Sequence, residues 1–252
     1  MKIAIITGAS SGLGKEFAVS LDKSRNEIEE IWLIARRRDR LEELAESLSK
    51  KARVLSLDIT DDSALSSLRG LLEAEKPQIK LLINNAGFGR LGYFKELSAE
   101  DSRDMLRLNC EALTVISRMC LPFMGENAEI INTCSIAAFA PNARMAVYSS
   151  AKAYVLSFSK ALRLELKDQK INVLAVCPGP MDTEFLPVAG IAKGSSFTFD
   201  TLPRDNVKKV AEKSLRASKR GRGVYTCHPF FKLYRVIAKL LPHSIVMKMS
   251  KT

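Results

Sequence analysis

Lys2-Ile-Ala-Ile-Ile-Thr7-Gly8-Ala9-Ser10-Ser11-Gly12-Leu13-Gly14-Lys15 is the stretch that decides the fold. A short apolar run ends in a Gly-rich turn and passes directly into helix-forming sequence, which reads as strand, turn and helix. The glycines are spaced G-x-x-x-G-x-G, unlike the G-x-G-x-x-G dinucleotide fingerprint, yet the mechanics are similar. Without side chains at Gly8, Gly12 and Gly14 the backbone can approach a pyrophosphate, and the free N–H groups that open the helix around Leu13 can point at it. Ser10 and Ser11 add hydroxyl donors. The plainer alternative is a turn that serves only tight strand-to-helix packing.

Outward from that turn, short β-rich runs alternate with longer amphipathic stretches. Strands are expected at Lys2–Thr7, Ile31–Ala35, Arg53–Leu57, Leu81–Asn84, Glu129–Thr133, Ile171–Val176 and, more faintly, Gly223–Thr226. Arg38–Lys50 reads as a helix with Leu41, Leu44, Ala45 and Leu48 on one face, and Ser157–Lys167 continues the segment holding Tyr148 as another. The alternation implies an α/β fold, a parallel, doubly wound sheet of about seven strands with ligands at the strands' carboxyl ends. With no internal repeat and no low-complexity linker, residues 1–228 read as one dinucleotide-binding and catalytic domain. Residues 229–252 read as a basic amphipathic extension of it. Pro178 to Pro203, rich in Gly, Pro and Ser, reads as a long irregular segment, either a mobile cover for a substrate or a plain connection.

The 252 residues, 46% hydrophobic and 27% charged, have the composition of an ordinary globular protein. No apolar stretch is long enough to span a membrane, and the opening residues lack the apolar region and cleavage site of a signal peptide. Five cysteines without a C-x-x-C pair suggest reduced, packed thiols and a cytoplasmic setting. Only two histidines are present, neither in a ligand-like cluster, so no metal is expected. The net charge of +11 is confined to one end: residues 201–252 hold 13 Lys/Arg against 2 Asp/Glu, while residues 1–200 are balanced. Such an end attracts an acidic substrate or an anionic membrane, or is simply a solvated surface. With no recognisable binding module, nucleic acid is not expected as a partner.

The second strand runs into Arg36-Arg37-Arg38, where an acidic residue would accept from ribose hydroxyls and mark NAD. Arg36, with Arg37 beside it, instead suits a 2′-phosphate, favouring NADP(H) and leaving NAD(H) as the lesser cofactor. Positive charge at a helix start is unfavourable, so a bound anion explains it better than a solvated surface does. Further along, Tyr148 and Lys152 stand four residues apart, on one face of any helix containing them. A nearby ammonium favours the phenolate and brings the phenol toward a working range for proton transfer.

Thr7-Gly8-x-x-x-Gly12-x-Gly14, Asn84-Asn85-Ala86-Gly87, Ser135, Tyr148-x-x-x-Lys152 and Pro178-Gly179 followed by Thr183 come in one order. That order and spacing resemble the short-chain dehydrogenase/reductase family, in its single-domain branch, over residues 1 to 226. The resemblance implies a Rossmann fold and hydride transfer between a nicotinamide and a carbonyl carbon. Tyr148 would donate or accept the proton, Lys152 would lower its pKa and bind the nicotinamide ribose, and Ser135 would polarise the carbonyl. Asn109 would hold a water linking Lys152 to solvent, and Asp58 would contact the adenine. Asn85, Ala86 and Gly87 would line the cofactor, with Pro178, Gly179 and Thr183 on its nicotinamide side. Cys134 stands where many relatives have Ser.

Pro229 to Pro242 reads as a helix bounded by prolines, with Lys232, Arg235 and Lys239 as a polar stripe on an otherwise apolar surface. It can pack on the body or on a second subunit, line a pocket for a bulky lipophilic substrate, or lie on an anionic membrane. The expectation is therefore an NADP(H)-preferring oxidoreductase of a secondary alcohol or ketone, steroid-like or fatty-acyl, and a homo-oligomer with peripheral membrane contact as a further partner. The alternative is a non-catalytic NADPH-binding sensor or assembly subunit.

Overall fold

Alternate residues of β1 (Lys2–Thr7) enter two separate cores, and this fixes the architecture. Ala4 and Ile6 join Phe17, Leu21, Leu41 and Leu215 on one side, while Ile3 and Ile5 join Leu68, Leu72, Ile116 and Ile130 on the other. A strand apolar on both faces must be covered on both, which is the condition a parallel sheet with flanking helices satisfies. In the computed structural model, which describes residues 1–192, 194 and 197–249, β1 is joined by six more strands. These are β2 (Glu30–Ala35), β3 (Lys51–Ser56), β4 (Gln78–Asn84), β5 (Glu129–Thr133), β6 (Asn172–Val176) and β7 (Val224–Tyr225). All pair in parallel, in the order β3-β2-β1-β4-β5-β6-β7.

The helices in chain order are α1 (Gly12–Ser24), α2 (Arg38–Ser47), α3 (Asp62–Glu75), α4 (Ala99–Leu106), α5 (Leu113–Cys120) and α6 (Ala146–Glu165). Then come α7 (Phe185–Val188), α8 (Phe197–Thr201), α9 (Val207–Lys219), α10 (Pro229–Leu240) and α11 (His243–Met249). Strand order reverses between β1 and β4, so a crevice opens at their carboxyl ends, where Gly8 and Asn85 follow. Asp61, Ser98 and Asn206 cap α3, α4 and α9 through their side chains, whereas Ser11 at the start of α1 makes no such bond. The leading N–H groups of α1 therefore face the crevice without a side-chain cap.

Several boundaries differ from the sequence reading, each for a local reason. β2 begins one residue early at Glu30, which is fully buried because Lys51, Arg53 and the Trp32 indole N–H all reach its carboxylate, at 2.7, 2.9 and 3.1 Å. α2 stops at Ser47 rather than Lys50, since the backbone N–H groups of Ser49 and Lys50 donate to Asp22 instead. Tyr148 and Ser157 share the single helix α6. The segment 178–203 is not wholly irregular: it carries α7 and α8, and its residues 193, 195 and 196 lie outside the described ones, as do 250–252 of the C-terminal extension.

One buried ion pair crosses the interior. Arg25, just past α1, donates to both carboxylate oxygens of Glu129 at the start of β5, at 2.5 and 3.0 Å, and to the Leu215 carbonyl of α9 at 3.0 Å.

Candidate active site

The Gly-rich turn is shaped by close backbone approach. Gly8 and Gly12 have φ of +66° and +52°, in the region that favours glycine. A Cβ on Gly8 would lie 2.8 Å from the Ala86 Cα, so the ends of β1 and β4 meet without side chains between them. The Thr7 hydroxyl accepts from the N–H groups of Asn85 and Ala86 at 3.0 and 3.1 Å. The Asn85 amide donates to the Gly8 carbonyl at 3.3 Å and its oxygen accepts from Thr133 at 3.2 Å. One side chain thus braces three strand ends.

At the other end of the crevice, Tyr148 and Lys152 lie together on α6, 7% and 4% exposed. The Lys152 ammonium donates to the Thr133 carbonyl at 3.0 Å and lies 5.7 Å from the centre of the Tyr148 ring. Ser135 lies beside the Tyr148 phenol, where its hydroxyl favours the ionised form, and accepts from the Ala137 N–H at 3.1 Å, which anchors the turn after β5. The Tyr148 ring covers Gly89, where a Cβ would come within 2.9 Å of it, and packs against Phe185 with ring centres 5.6 Å apart.

Proton affinities here run against the sequence expectation. Burial pushes the Tyr148 phenol above its ordinary value, opposed by the Ser135 hydrogen bond. Burial also pushes the Lys152 ammonium below its ordinary value. Desolvation thus sets the direction for both groups, with Cys134 adding to the rise at the phenol, and Tyr148 is held on its protonated side as a proton donor.

Asn109 is 1% exposed and sits in a π-helical stretch, Arg107–Ala112, that runs between α4 and α5. Its amide donates to the carbonyls of Phe88 and Met105, at 2.8 and 2.9 Å. Its Oδ1 is buried without a protein partner and points to Gly87, where a Cβ would lie 2.5 Å from it and 3.3 Å from the Lys152 Nζ. A buried acceptor so placed is suited to a water shared with Lys152.

The end of the cleft beside β2 divides the arginines in a way the sequence did not show. The Arg36 side chain is 77% exposed, with only a loose 3.8 Å contact to Asp58. Arg37 is already engaged: it donates to the hydroxyls of Ser10 and Ser11, at 3.1 and 2.8 Å, and to Glu184 at 2.8 Å. Arg40 also pairs with Glu184. The anion that a basic helix start calls for is thus supplied in part by Glu184, whose carboxyl the two arginines pull down to about 2. For Asp58, burial raises the carboxyl, but the Thr60 hydroxyl and N–H, both donating to it, and Arg36 leave it below its ordinary value.

A single cleft of 880 Å³ joins these parts. Gly8, Ser10, Ser11, Gly12, Leu13, Arg36, Arg37 and Asp58 line one end, Asn85, Ala86 and Gly87 the middle, and Ser135, Tyr148, Lys152, Pro178, Gly179 and Thr183 the rest. Gly14 and Asn109 stand behind its wall, against Gly8 and Gly87. The residues the sequence left unnoticed are Arg40, Glu184, Phe185, Asp205 and Phe231. Asp205 accepts from the Gly179 N–H at 2.7 Å and donates its own N–H to the Pro180 carbonyl. Phe231, fully buried on α10, fills the space a Gly179 side chain would need. None carries a motif; each is found only through a contact between segments distant in sequence.

The open turn and the uncapped start of α1 fit an extended dinucleotide. The family described as short chain dehydrogenase matches residues 2–190. The chain is 36% identical over 222 residues to an NADP-dependent 3-hydroxy acid dehydrogenase of Schizosaccharomyces pombe, covering 84% of this chain and 81% of that protein. It is 33% identical over 219 residues to sulfoacetaldehyde reductase 2 of Chromohalobacter salexigens, covering 83% and 84%. A short-chain dehydrogenase from Sphingobium yanoikuyae in complex with NADPH superposes with a TM-score of 0.80 at 29% identity, over 95% of this chain and 93% of that one.

Proposed function

Because the chain belongs to the short-chain dehydrogenase/reductase family, we propose that this NAD(P)-dependent oxidoreductase interconverts a ketone and a secondary alcohol on a lipophilic, steroid-like or fatty-acyl substrate, with NADP(H) preferred. The observation that carries the substrate class is the wall of the cleft beyond Tyr148. It includes Phe88, Met145, Phe185, Leu202, Phe231 and Ile237 alongside the polar Asp104 and Asn142, and the nearby Arg90 is occupied by Asp101 and the Val188 carbonyl. A small carboxylate or sulfonate would want a cation there that is not already paired. A panel of ketones and alcohols, followed by absorbance of the reduced nicotinamide, tests this; turnover confined to small acids would overturn it.

The nicotinamide, when bound, supplies or accepts the hydride, and the chain's residues do the rest. The Gly8–Gly14 turn and the start of α1 would hold the pyrophosphate, and Lys152 the nicotinamide ribose. Ser135 and Tyr148 would grip the carbonyl oxygen, and Tyr148 would give it the proton. In the oxidative direction Tyr148 as its phenolate would take the proton of the alcohol, and Lys152 and the Asn109 oxygen would lead it on toward water. Phe185 and Phe231 exclude bulk water from this end, which strengthens each polar contact.

The exposed Arg36 guanidinium supports a role for it in meeting a 2′-phosphate. Arg36→Ala is expected to weaken NADPH binding by roughly 10- to 100-fold, the size of a charge-assisted hydrogen bond, and to leave NADH binding unchanged. Equal losses for both cofactors in a fluorescence titration would remove Arg36 from that role. Glu184 ties the segment after Thr183 to Arg37 and Arg40 across the cleft. Exposed ion pairs are weak, so Glu184→Gln is expected to speed NADPH release only a few-fold, and high salt should do the same to the wild type. Stopped-flow release rates insensitive to both would count against the tie.

A cytoplasmic homo-oligomer completes the reading. Leu106 on α4 and Tyr154 and Leu164 on α6 offer exposed apolar surface for a second copy, and peripheral membrane contact is assigned to the C-terminal segment.

A further inference from the structure

Exposed apolar side chains are concentrated on the last two helices. Among the described residues fourteen large hydrophobic side chains are exposed, and seven of them fall between Phe230 and Met247. On α10, Leu233, Val236 and Leu240 recur at helical spacing and share one face, and Leu241 and Ile245 just beyond it are exposed as well. Phe231 and Ala238 turn the opposite way into the body, as does Val246 of α11. Lys232 and Lys239 flank the outward apolar face, and Arg235 and Lys248 add two more cations. Residues 229–249 contain no Asp or Glu, and among the described residues none of these four cations has a carboxylate within ion-pair distance.

This face also borders the cleft. Phe230 and Leu233 are exposed, at 51% and 60%, and both line the cavity that ends at Tyr148. The rim of the site and the outward apolar surface are therefore continuous.

We propose that the outward face of α10 and α11 docks on an anionic bilayer, and that an apolar substrate passes from the lipid over Phe230 and Leu233 to Tyr148. Apolar area flanked by unpaired Lys is what an interfacial helix requires. A second copy is the poorer occupant, because a two-fold contact sets the patch against itself, and a patch without Asp or Glu gives Lys232 and Lys239 no carboxylate to meet. Docking stands apart from catalysis; only the route of the substrate rests on the lipophilic reading above.

Flotation of the full chain with vesicles tests docking directly. Wild type is expected to float with an equal mixture of phosphatidylcholine and phosphatidylserine and to stay behind with phosphatidylcholine alone. Lys232→Glu with Lys239→Glu should cut the bound fraction at least about tenfold, given the attraction of each basic residue to an anionic surface. Val236→Glu with Leu240→Glu should do likewise. Both variants should keep the wild-type thermal midpoint and turnover of a water-soluble ketone, since none of the four residues lines the cleft. Wild type that fails to float, or charge-reversed protein that floats as well, overturns the proposal. So does a dimer that dissociates in Val236→Glu/Leu240→Glu while flotation is unaffected. Flotation without any lipid-dissolved ketone being reduced would leave docking standing and sink the substrate reading alone.

Discussion

Tyr148→Phe is expected to lower turnover between about 100- and 10,000-fold, the contribution of a positioned general acid. It should leave NADPH binding essentially intact. The ring is held by packing on Gly89 and Phe185, contacts that Phe reproduces. What is lost is the phenol, the one donor beside Ser135 that burial keeps protonated. Because its affinity for the proton is raised, reductive turnover should stay level across neutral pH and fall only in alkali, where the donor is finally lost. Oxidative turnover, which needs the phenolate, should climb over the same alkaline range. Initial rates in both directions, with a cofactor titration of the variant, check this. A variant with near wild-type rates would move the proton donor elsewhere, and one that no longer binds NADPH would make Tyr148 a structural residue. Wild type that binds NADPH but turns over no ketone would favour a non-catalytic sensor.

The order of elements was legible because it depends on short-range pattern. The strand, turn and helix at residues 2–24 and the i, i+4 pair of Tyr148 and Lys152 are local features, and the sheet places them where local reading expects. Boundaries failed where a buried charge or a distant partner intervened. Glu30 does not look like a strand residue until Lys51, Arg53 and Trp32 are seen around it. Asp22 ends α2 from a different helix.

The site was legible in its residue types but not in their environment. Spacing places Lys152 next to Tyr148, yet it cannot report that both are buried, and burial sets the direction in which each proton affinity moves. Spacing likewise offers Arg36 with Arg37 beside it and cannot separate their surroundings. Glu184, nearly 150 residues away, engages Arg37 and leaves Arg36 exposed. Such pairings depend on how loops return across the sheet, and no window of sequence contains both partners.

Glu129→Ala should destabilise the fold by about 3–5 kcal/mol, the usual cost of stranding one member of a buried ion pair. For a chain of this size that lowers the thermal midpoint by roughly 6–20 °C. Arg25 would remain buried with one solvent-facing partner, Glu27, at 3.3 Å, and the Leu215 carbonyl. The pair ties the far end of α1 to the near end of β5, and those two elements carry the Gly-rich turn and Ser135 at their other ends. It therefore holds α1 and β5, which carry the Gly-rich turn and Ser135, in fixed relation from the ends remote from the cleft. Below the new midpoint the variant should retain wild-type kcat/KM, and on heating its activity should vanish together with its helical circular dichroism. Replacing both partners, Arg25→Met with Glu129→Leu, should recover most of the stability, because no charge is then left buried alone. A Glu129→Ala midpoint within the range of an ordinary surface substitution, about ±0.5 kcal/mol, would show that the pair contributes nothing to that relation.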